Sequence, residues 1–225
     1  VPLIGAGATI LIVGPKGSGK SVLASHLAAG WDRVLVYDPK GDPNADLPNS
    51  TRRHGADAAI AALPGRVVYQ PTVEEMSDLR GAFDRVVRVA WLMRVSMGLV
   101  LHETADVAPA LGTPPYLSIW IRQGRERIRA DGRLVHNPVV MVTQRPRHIN
   151  LHGASEADHL YLFPVRNPGD LSTMAGLFST SPRALSPLPT PHAFYYRGPG
   201  GSVAAMPPLA LKRARRVATG VRSTG

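Results

Sequence analysis

Short apolar runs, each closed by glycine, proline or a charged pair, alternate along this chain with longer segments of helical period. Residues 8–13, 33–37, 66–70, 98–101, 139–144 and 160–163 are too continuously apolar to have one wet face, which is the signature of buried parallel strands. Between them, 22–29 reads as an Ala/Leu-rich helix ended by Gly30, and 56–63 as a short alanine-rich helix. A long helix is expected over 73–97, where Met76, Leu79, Phe83, Val86, Val87, Ala90 and Met93 recur at helical spacing as a core stripe. The segment leading to His54 reads as a polar loop. Pro114-Pro115 opens another helix, running through Trp120 and Arg125, and Asn167-Pro168-Gly169-Asp170 opens a short one. Residues 193–197 and 202–205 are expected to form a hairpin around Pro199-Gly200-Gly201. Strands alternating with helices predict an α/β fold, a mainly parallel sheet with helices on both faces and a C-terminal β-hairpin.

The 225 residues suit one such domain, expected over 1–210, followed by a basic tail at 211–225. The chain has no cysteine, which excludes disulfides, thiolate metal sites and thiol nucleophiles. Arginines interrupt every long apolar segment, so no membrane span is expected, and Val1-Pro2-Leu3-Ile4 lacks the charged start of a signal peptide. The net charge of +10 is carried by arginine: the only lysines are Lys16, Lys20, Lys40 and Lys212. Guanidinium forks suit phosphate, so a polyanionic partner is expected. Lys212, Arg213, Arg215, Arg216 and Arg222 place five of those charges in the tail, which reads as an electrostatic arm.

The chemistry concentrates after the first strand. Gly14-Pro15-Lys16-Gly17-Ser18-Gly19-Lys20-Ser21 is a complete G-x-x-x-x-G-K-[ST] loop between an apolar strand and a helix. The glycines let successive N–H groups curl around phosphate oxygens, Lys20 reaches the β and γ phosphates, and Ser21 offers its hydroxyl to Mg²⁺. ATP and Mg²⁺ are therefore the expected cofactors, and ATP use implies an intracellular location.

Hydrolysis also needs a metal-supporting carboxylate and a residue that activates water. The apolar strand ending in His102-Glu103 supplies Glu103 for the second task. His102 stands where an aspartate is expected, and imidazole suits Mg²⁺ poorly. Another oxygen is then required, with Asp38 and Asp106 as candidates, or hydrolysis is weakened. Gln144 would sit beside the γ-phosphate if its strand neighbours the first. His148 and His152 lie in a loop with no evident third ligand and do not read as a metal pair.

The order of these pieces carries a resemblance. The phosphate loop, Asp38-Pro39-Lys40-Gly41, the strand ending in Glu103, Gly124-Arg125-Glu126 late in a helix and Thr143-Gln144-Arg145-Pro146 together resemble the FtsK/HerA superfamily of DNA-translocating ATPases. So do Ser155 to His159, Phe163, Asn167 to Asp170 and Met174-Ala175-Gly176. The chain is most similar to the compact genome-packaging ATPases of double-stranded DNA viruses. The resemblance implies a RecA/ASCE-like P-loop NTPase fold and a homo-oligomeric ring of five or six subunits threading double-stranded DNA, docked on a portal or vertex protein. It implies work in the host cytoplasm or on the virion. Carried over by position, Gly14 to Ser21 bind nucleotide, Ser21 binds metal, and Lys20, Glu103 and Gln144 act in catalysis. Arg125 is then the finger inserted into a neighbour's site, with Arg133 of Gly132-Arg133 as the alternative. Arg52 and Arg53, or Arg145, Arg147 and His148, are candidates for phosphate contacts in the pore. A DNA-export or conjugation motor of the same superfamily, or a slow nucleotide-binding switch, are the other functions these residues allow.

Overall fold

The computed structural model describes residues 4–149, 154–185 and 187–210. The expected tail at 211–225 and His152 lie outside the described residues. The elements are β1 (Thr9–Val13), α1 (Lys20–Ala28), β2 (Val34–Tyr37), β3 (Thr51–His54), α2 (Ala56–Ala62), β4 (Arg66–Gln70), α3 (Leu79–Leu92), β5 (Gly98–Leu101) and α4 (Thr104–Val107). They continue with α5 (Pro115–Gln123), β6 (Arg127–Ile128), β7 (Leu134–Val135), β8 (Val139–Thr143), β9 (His159–Leu162), α6 (Pro168–Leu177), β10 (Phe194–Arg197) and β11 (Val203–Met206). Nine strands form one sheet in the order β11-β10-β9-β1-β8-β5-β2-β4-β3. The seven strands from β9 to β3 run parallel, and β10 and β11 add antiparallel at one edge.

The continuous apolar runs are explained by burial on both faces, since successive side chains of one strand point to opposite layers. Leu11, Val13, Leu35, Tyr37, Leu99, Leu101, Val139 and Met141 face the layer that contains Phe83, Val87, Leu117, Trp120 and Met174. Ile10, Ile12, Val34, Val36, Val100, Val140 and Val142 face α1 through Leu23, Ala24 and Ala28. The α/β fold, with its C-terminal hairpin, is as the sequence implies.

Four segments differ from expectation, one being the helix expected through Arg125, which ends at Gln123 with Gly124 as its cap. The polar stretch before His54 contains β3, an edge strand paired only with β4. Its Thr-Arg-Arg-His sequence is largely exposed and has no apolar alternation to announce it. The long helix is shorter than its apolar stripe: residues 74–78 form a 3-10 turn, and Asp78 caps α3 by accepting from the Gly81 amide at 3.1 Å. Between Gly124 and β8, β6 and β7 form a separate two-stranded hairpin, anchored where Arg127 lies over the Trp91 ring at 3.4 Å.

Under the carboxyl ends of β2 and β4, Phe83 packs against Tyr37 and Tyr69 with ring centroids 4.8 and 5.8 Å away. All three are fully buried. Phe83→Ala should leave a cavity there and cost about 3–5 kcal/mol, seen as a lower urea midpoint at unchanged m-value.

Candidate active site

A parallel sheet opens all its carboxyl ends on one edge, and ligands bind there. The phosphate loop leaves β1, at the centre of that edge. Its first amide, that of Gly14, donates to Thr143 O at 3.2 Å, and that of Ser18 to Pro15 O at 3.3 Å. Gly17 and Gly19 have φ of 77° and 102°, a region that L side chains rarely adopt. Gly14 is required for a different reason: a Cβ there would lie 2.6 Å from the Phe163 Cβ. Gly19 ends the loop with no side-chain cap on α1, leaving the helix's first amides open to an anion. The Ser18 hydroxyl is buried without a partner.

Lys20 is the first residue of α1 and only 7% exposed. Its Nζ donates to Pro15 O at 2.7 Å, so the ammonium lies along the loop that would hold phosphate. Burial pushes its pKa down to about 8, with Glu103 opposing that shift and Lys40 adding to it.

Glu103 follows β5 in the left-handed region, at φ 57°, and begins α4. Its Oε1 accepts from Lys40 Nζ and from Gln144 Nε2, both at 2.7 Å. Three strand ends, β2, β5 and β8, therefore meet at one carboxylate. Partial burial raises its pKa, but the hydrogen bonds from Lys40 and Gln144 and the charges of Lys40 and Lys20 outweigh this. The carboxyl sits below its usual range and is ionised at neutral pH. Gln144 is beside the phosphate loop because β8 pairs with β1 on one side and β5 on the other. Lys40, to which the motifs assign no role, is brought to this carboxylate by the fold. The scarcity of lysine is the signal, since three of the four, Lys16, Lys20 and Lys40, belong to this edge.

His102 is 5% exposed, and its Nε2 is buried with no hydrogen-bond partner. Burial drives its pKa below the ordinary value, against the pull of Asp38, Asp42 and Glu103. Asp38, one expected metal support, is instead ion-paired with Arg52 at 2.7 Å and is itself fully buried. Arg52 also donates to Gln70 Oε1, Asp42 O and Asp46 Oδ1. Arg52, one candidate for a phosphate contact, is thus turned to carboxylates of its own chain, fastening the segment after β2. Asp106 is exposed on α4, with Glu103 and Lys40 as its charged neighbours. Arg53 is exposed on β3. Arg145, Arg147 and His148 line a cleft of about 260 Å³ with Lys16 and Gln144, beside the phosphate loop.

Among the described residues, no group of three or more His, Cys, Asp or Glu side chains is arranged to hold a metal unaided. Mg²⁺ needs no such group, since it binds through one or two protein oxygens together with nucleotide phosphates. The oxygen set here includes the Ser21 hydroxyl, with the Asp42 carboxylate beside it. An apolar pocket of about 200 Å³ adjoins the loop, lined by Gly19, Val22, Phe163, Phe194 and Leu209, with His192 Nδ1 3.0 Å from Ser18 O.

Arg125 is not brought to the phosphate loop of its own chain. It lies at the amino-terminal edge of the sheet, ion-paired with Asp158 Oδ1 at 2.7 Å, while the other Asp158 oxygen accepts the Thr9 amide at 2.9 Å. A broad groove of about 1120 Å³ runs past Arg122, Arg125 and Arg127 there. Arg133, the alternative, is exposed on the β6–β7 hairpin.

The sequence matches no protein-family profile and no curated protein. Solved structures are similar in fold. The genome packaging NTPase B204 from Sulfolobus turreted icosahedral virus 2, in complex with AMPPCP, superposes with a TM-score of 0.67 at 15% identity, covering 92% of this chain and 100% of that one. B204, the DNA-packaging ATPase from Sulfolobus turreted icosahedral virus, gives 0.66 at 17% identity over 90% and 98%. The pCW3 conjugation coupling protein TcpA, with ATPγS, gives 0.55 at 15% identity over 88% of this chain and 59% of that one. The likeness expected from the ordered motifs is thus present in the fold, which is that of the P-loop NTPases. Among the described residues, no helix is long and apolar enough to cross a membrane.

Bound phosphate should return the Lys20 pKa from about 8 toward 10.5. Below pH 8 Lys20 is already charged, so binding takes up no proton through it. Between pH 8 and 10.5 binding takes up a proton, and affinity falls as pH rises through 8. Calorimetry with an ATP analogue at pH 9, in two buffers of different ionisation enthalpy, should register this uptake, and Lys20→Arg, permanently charged, should lose it.

Proposed function

We propose that this chain is the ATP-hydrolysing subunit of a ring-shaped motor that translocates double-stranded DNA, packaging a viral genome. The observation that carries the reading is the junction of Lys40, Glu103 and Gln144 on one carboxylate oxygen beside a complete phosphate loop. A fold similar to structures described as genome-packaging NTPases supports it. The same fold similarity to a conjugation coupling protein keeps DNA export as the nearest alternative task for the same machinery.

Each residue then has a role. The amides of the loop and the open start of α1 bind the phosphates, and Lys20 transfers its hydrogen bond from Pro15 O to a phosphate oxygen. Ser21 would hold Mg²⁺, which when bound neutralises charge on the phosphate oxygens. Glu103 accepts a proton from the attacking water as the new bond to the γ-phosphorus forms and the bond to the β–γ bridging oxygen breaks, releasing ADP and phosphate. In the resting protein its Oε1 is engaged by Gln144. A γ-phosphate offers the Gln144 amide another acceptor, which removes one of the two donors on Glu103 and leaves the Lys40 pair. Arg125, distant from its own loop, acts on the site of a neighbouring subunit. Such a ring works in the host cytoplasm or at the virion, docked on a portal or vertex protein, with its arginine-rich surface giving a salt-sensitive grip on DNA.

His102 favours a second reading, a slow nucleotide-binding switch, because the carboxylate expected at its position is missing. Steady-state ATP turnover at low salt, with and without linear duplex DNA, separates the two. A motor should be stimulated by DNA and should lose turnover in Lys20→Ala and Glu103→Gln, the latter still binding nucleotide. Tight binding with no turnover in either condition would favour the switch. If Arg125 acts in trans, Arg125→Ala alone should lose about 10³-fold in turnover. Mixing it with the inactive Glu103→Gln protein should recover activity, because intact fingers of one then meet intact sites of the other. A mixture as inactive as its parts would count against Arg125.

A further inference from the structure

The end of β5 poses a chemical problem that the β2 loop answers. His102 occupies the position next to Glu103 where an oxygen is needed, and its buried Nε2 has no partner. Its charged neighbours are Asp38, Asp42, Glu103 and Arg52. Of the carboxylates, Asp38 is engaged by Arg52 at 2.7 Å and Glu103 by Lys40 and Gln144. Asp42 is the one whose carboxylate lies beside the hydroxyl of Ser21, the residue at the metal position of the phosphate loop, because Asn44 is fastened to Ser25 one turn along the same helix.

This contact is built by packing. The chain after β2 folds into a 3-10 turn at Pro43–Ala45 against α1, burying Ala45 and Leu47 in the layer that holds Leu23, Ala24 and Ala28. Ser21 and Ser25 lie four residues apart on one face of α1. Ser25 Oγ donates to Asn44 O, and Ser21 meets Asp42. Asp42 is itself fixed, accepting from Asn44 N and Asn44 Nδ2 at 2.9 Å, while Arg52 ties Asp42 O from the other side at 3.2 Å. The carboxylate is therefore held in place at a helix start where cation and phosphate would meet.

We propose that Asp42 is the metal-supporting carboxylate of this site, supplying from the β2 loop the oxygen that His102 cannot supply from β5. The inference rests on the nucleotide-binding reading of the phosphate loop. A hard cation is then held by a hydroxyl and a carboxylate from two different elements, and the imidazole at 102 is left as a neutral filler. It also explains how the chain tolerates histidine at 102 without surrendering the metal.

The test measures Mn²⁺ affinity by electron paramagnetic resonance in the presence of AMPPCP, alongside AMPPCP affinity in EDTA. Asp42→Asn should weaken Mn²⁺ binding about 10- to 100-fold and leave metal-free nucleotide affinity unchanged, which also reports an intact fold. Adding His102→Asp to Asp42→Asn should recover Mn²⁺ affinity by restoring an oxygen at β5. The proposal is overturned if Asp42→Asn keeps native Mn²⁺ affinity, if metal-free nucleotide binding falls to the same degree, or if the double variant recovers nothing. Failure of the unaltered protein to bind AMPPCP at all would instead sink the phosphate-loop reading beneath it.

Discussion

Everything at the candidate site depends on β8 lying between β1 and β5. That insertion puts Gln144 one strand from the phosphate loop and one strand from Glu103, at 2.7 Å from its carboxylate. With β5 paired directly to β1, the amide would have no place between phosphate and acid. Because all these strands are parallel, their carboxyl ends share one edge, and β2 can contribute Lys40 to the same oxygen. The energetic foundation is the double burial of the sheet: its central strands are almost wholly apolar, so the site's polar chemistry is confined to the segments that follow their carboxyl ends.

That confinement is also why so much was legible in the sequence. A buried parallel strand must be an unbroken apolar run, and its first polar residues lie at the ligand edge, so Glu103 and Gln144 are placed from the chain alone, as Lys20 is by the phosphate-loop motif. β3 could not, because an edge strand with Thr-Arg-Arg-His needs no apolar face and draws its stability from pairing with β4. The start of α3 is hidden in the sequence for a related reason. Apolar periodicity continues through Met76, but Asp78 accepts the Gly81 amide and starts the helix anew. Periodicity measures which residues face the core and says nothing about which backbone groups are capped.

Side-chain contacts across the sheet were the least legible. Arg52 looks like any exposed arginine in the sequence, yet it pairs with buried Asp38 and with Asp46. Only the pairing of β3 with β4, which is itself paired with β2, brings those groups together. The arginine excess is thus partly structural, and net charge alone overstates the surface available to a polyanion. Asp38, attractive as a metal ligand by its position after β2, is removed from that role by the same pair.

The placement of Arg125 has a different consequence. The phosphate loop is at the carboxyl edge of the sheet and Arg125 at the amino edge, tied to Asp158, which also holds the first amide of β1. No motion that preserves β1 can carry this guanidinium to Lys20 of the same chain, because the full length of the central strand separates them. A catalytic role for Arg125 therefore requires a second copy, and in a ring the Asp158 pair would have to exchange for a phosphate of the neighbour. The pair is half-exposed on the arginine side, so its rupture costs little. Nucleotide state, subunit contact and the anchoring of β1 would then be coupled through one carboxylate at 158.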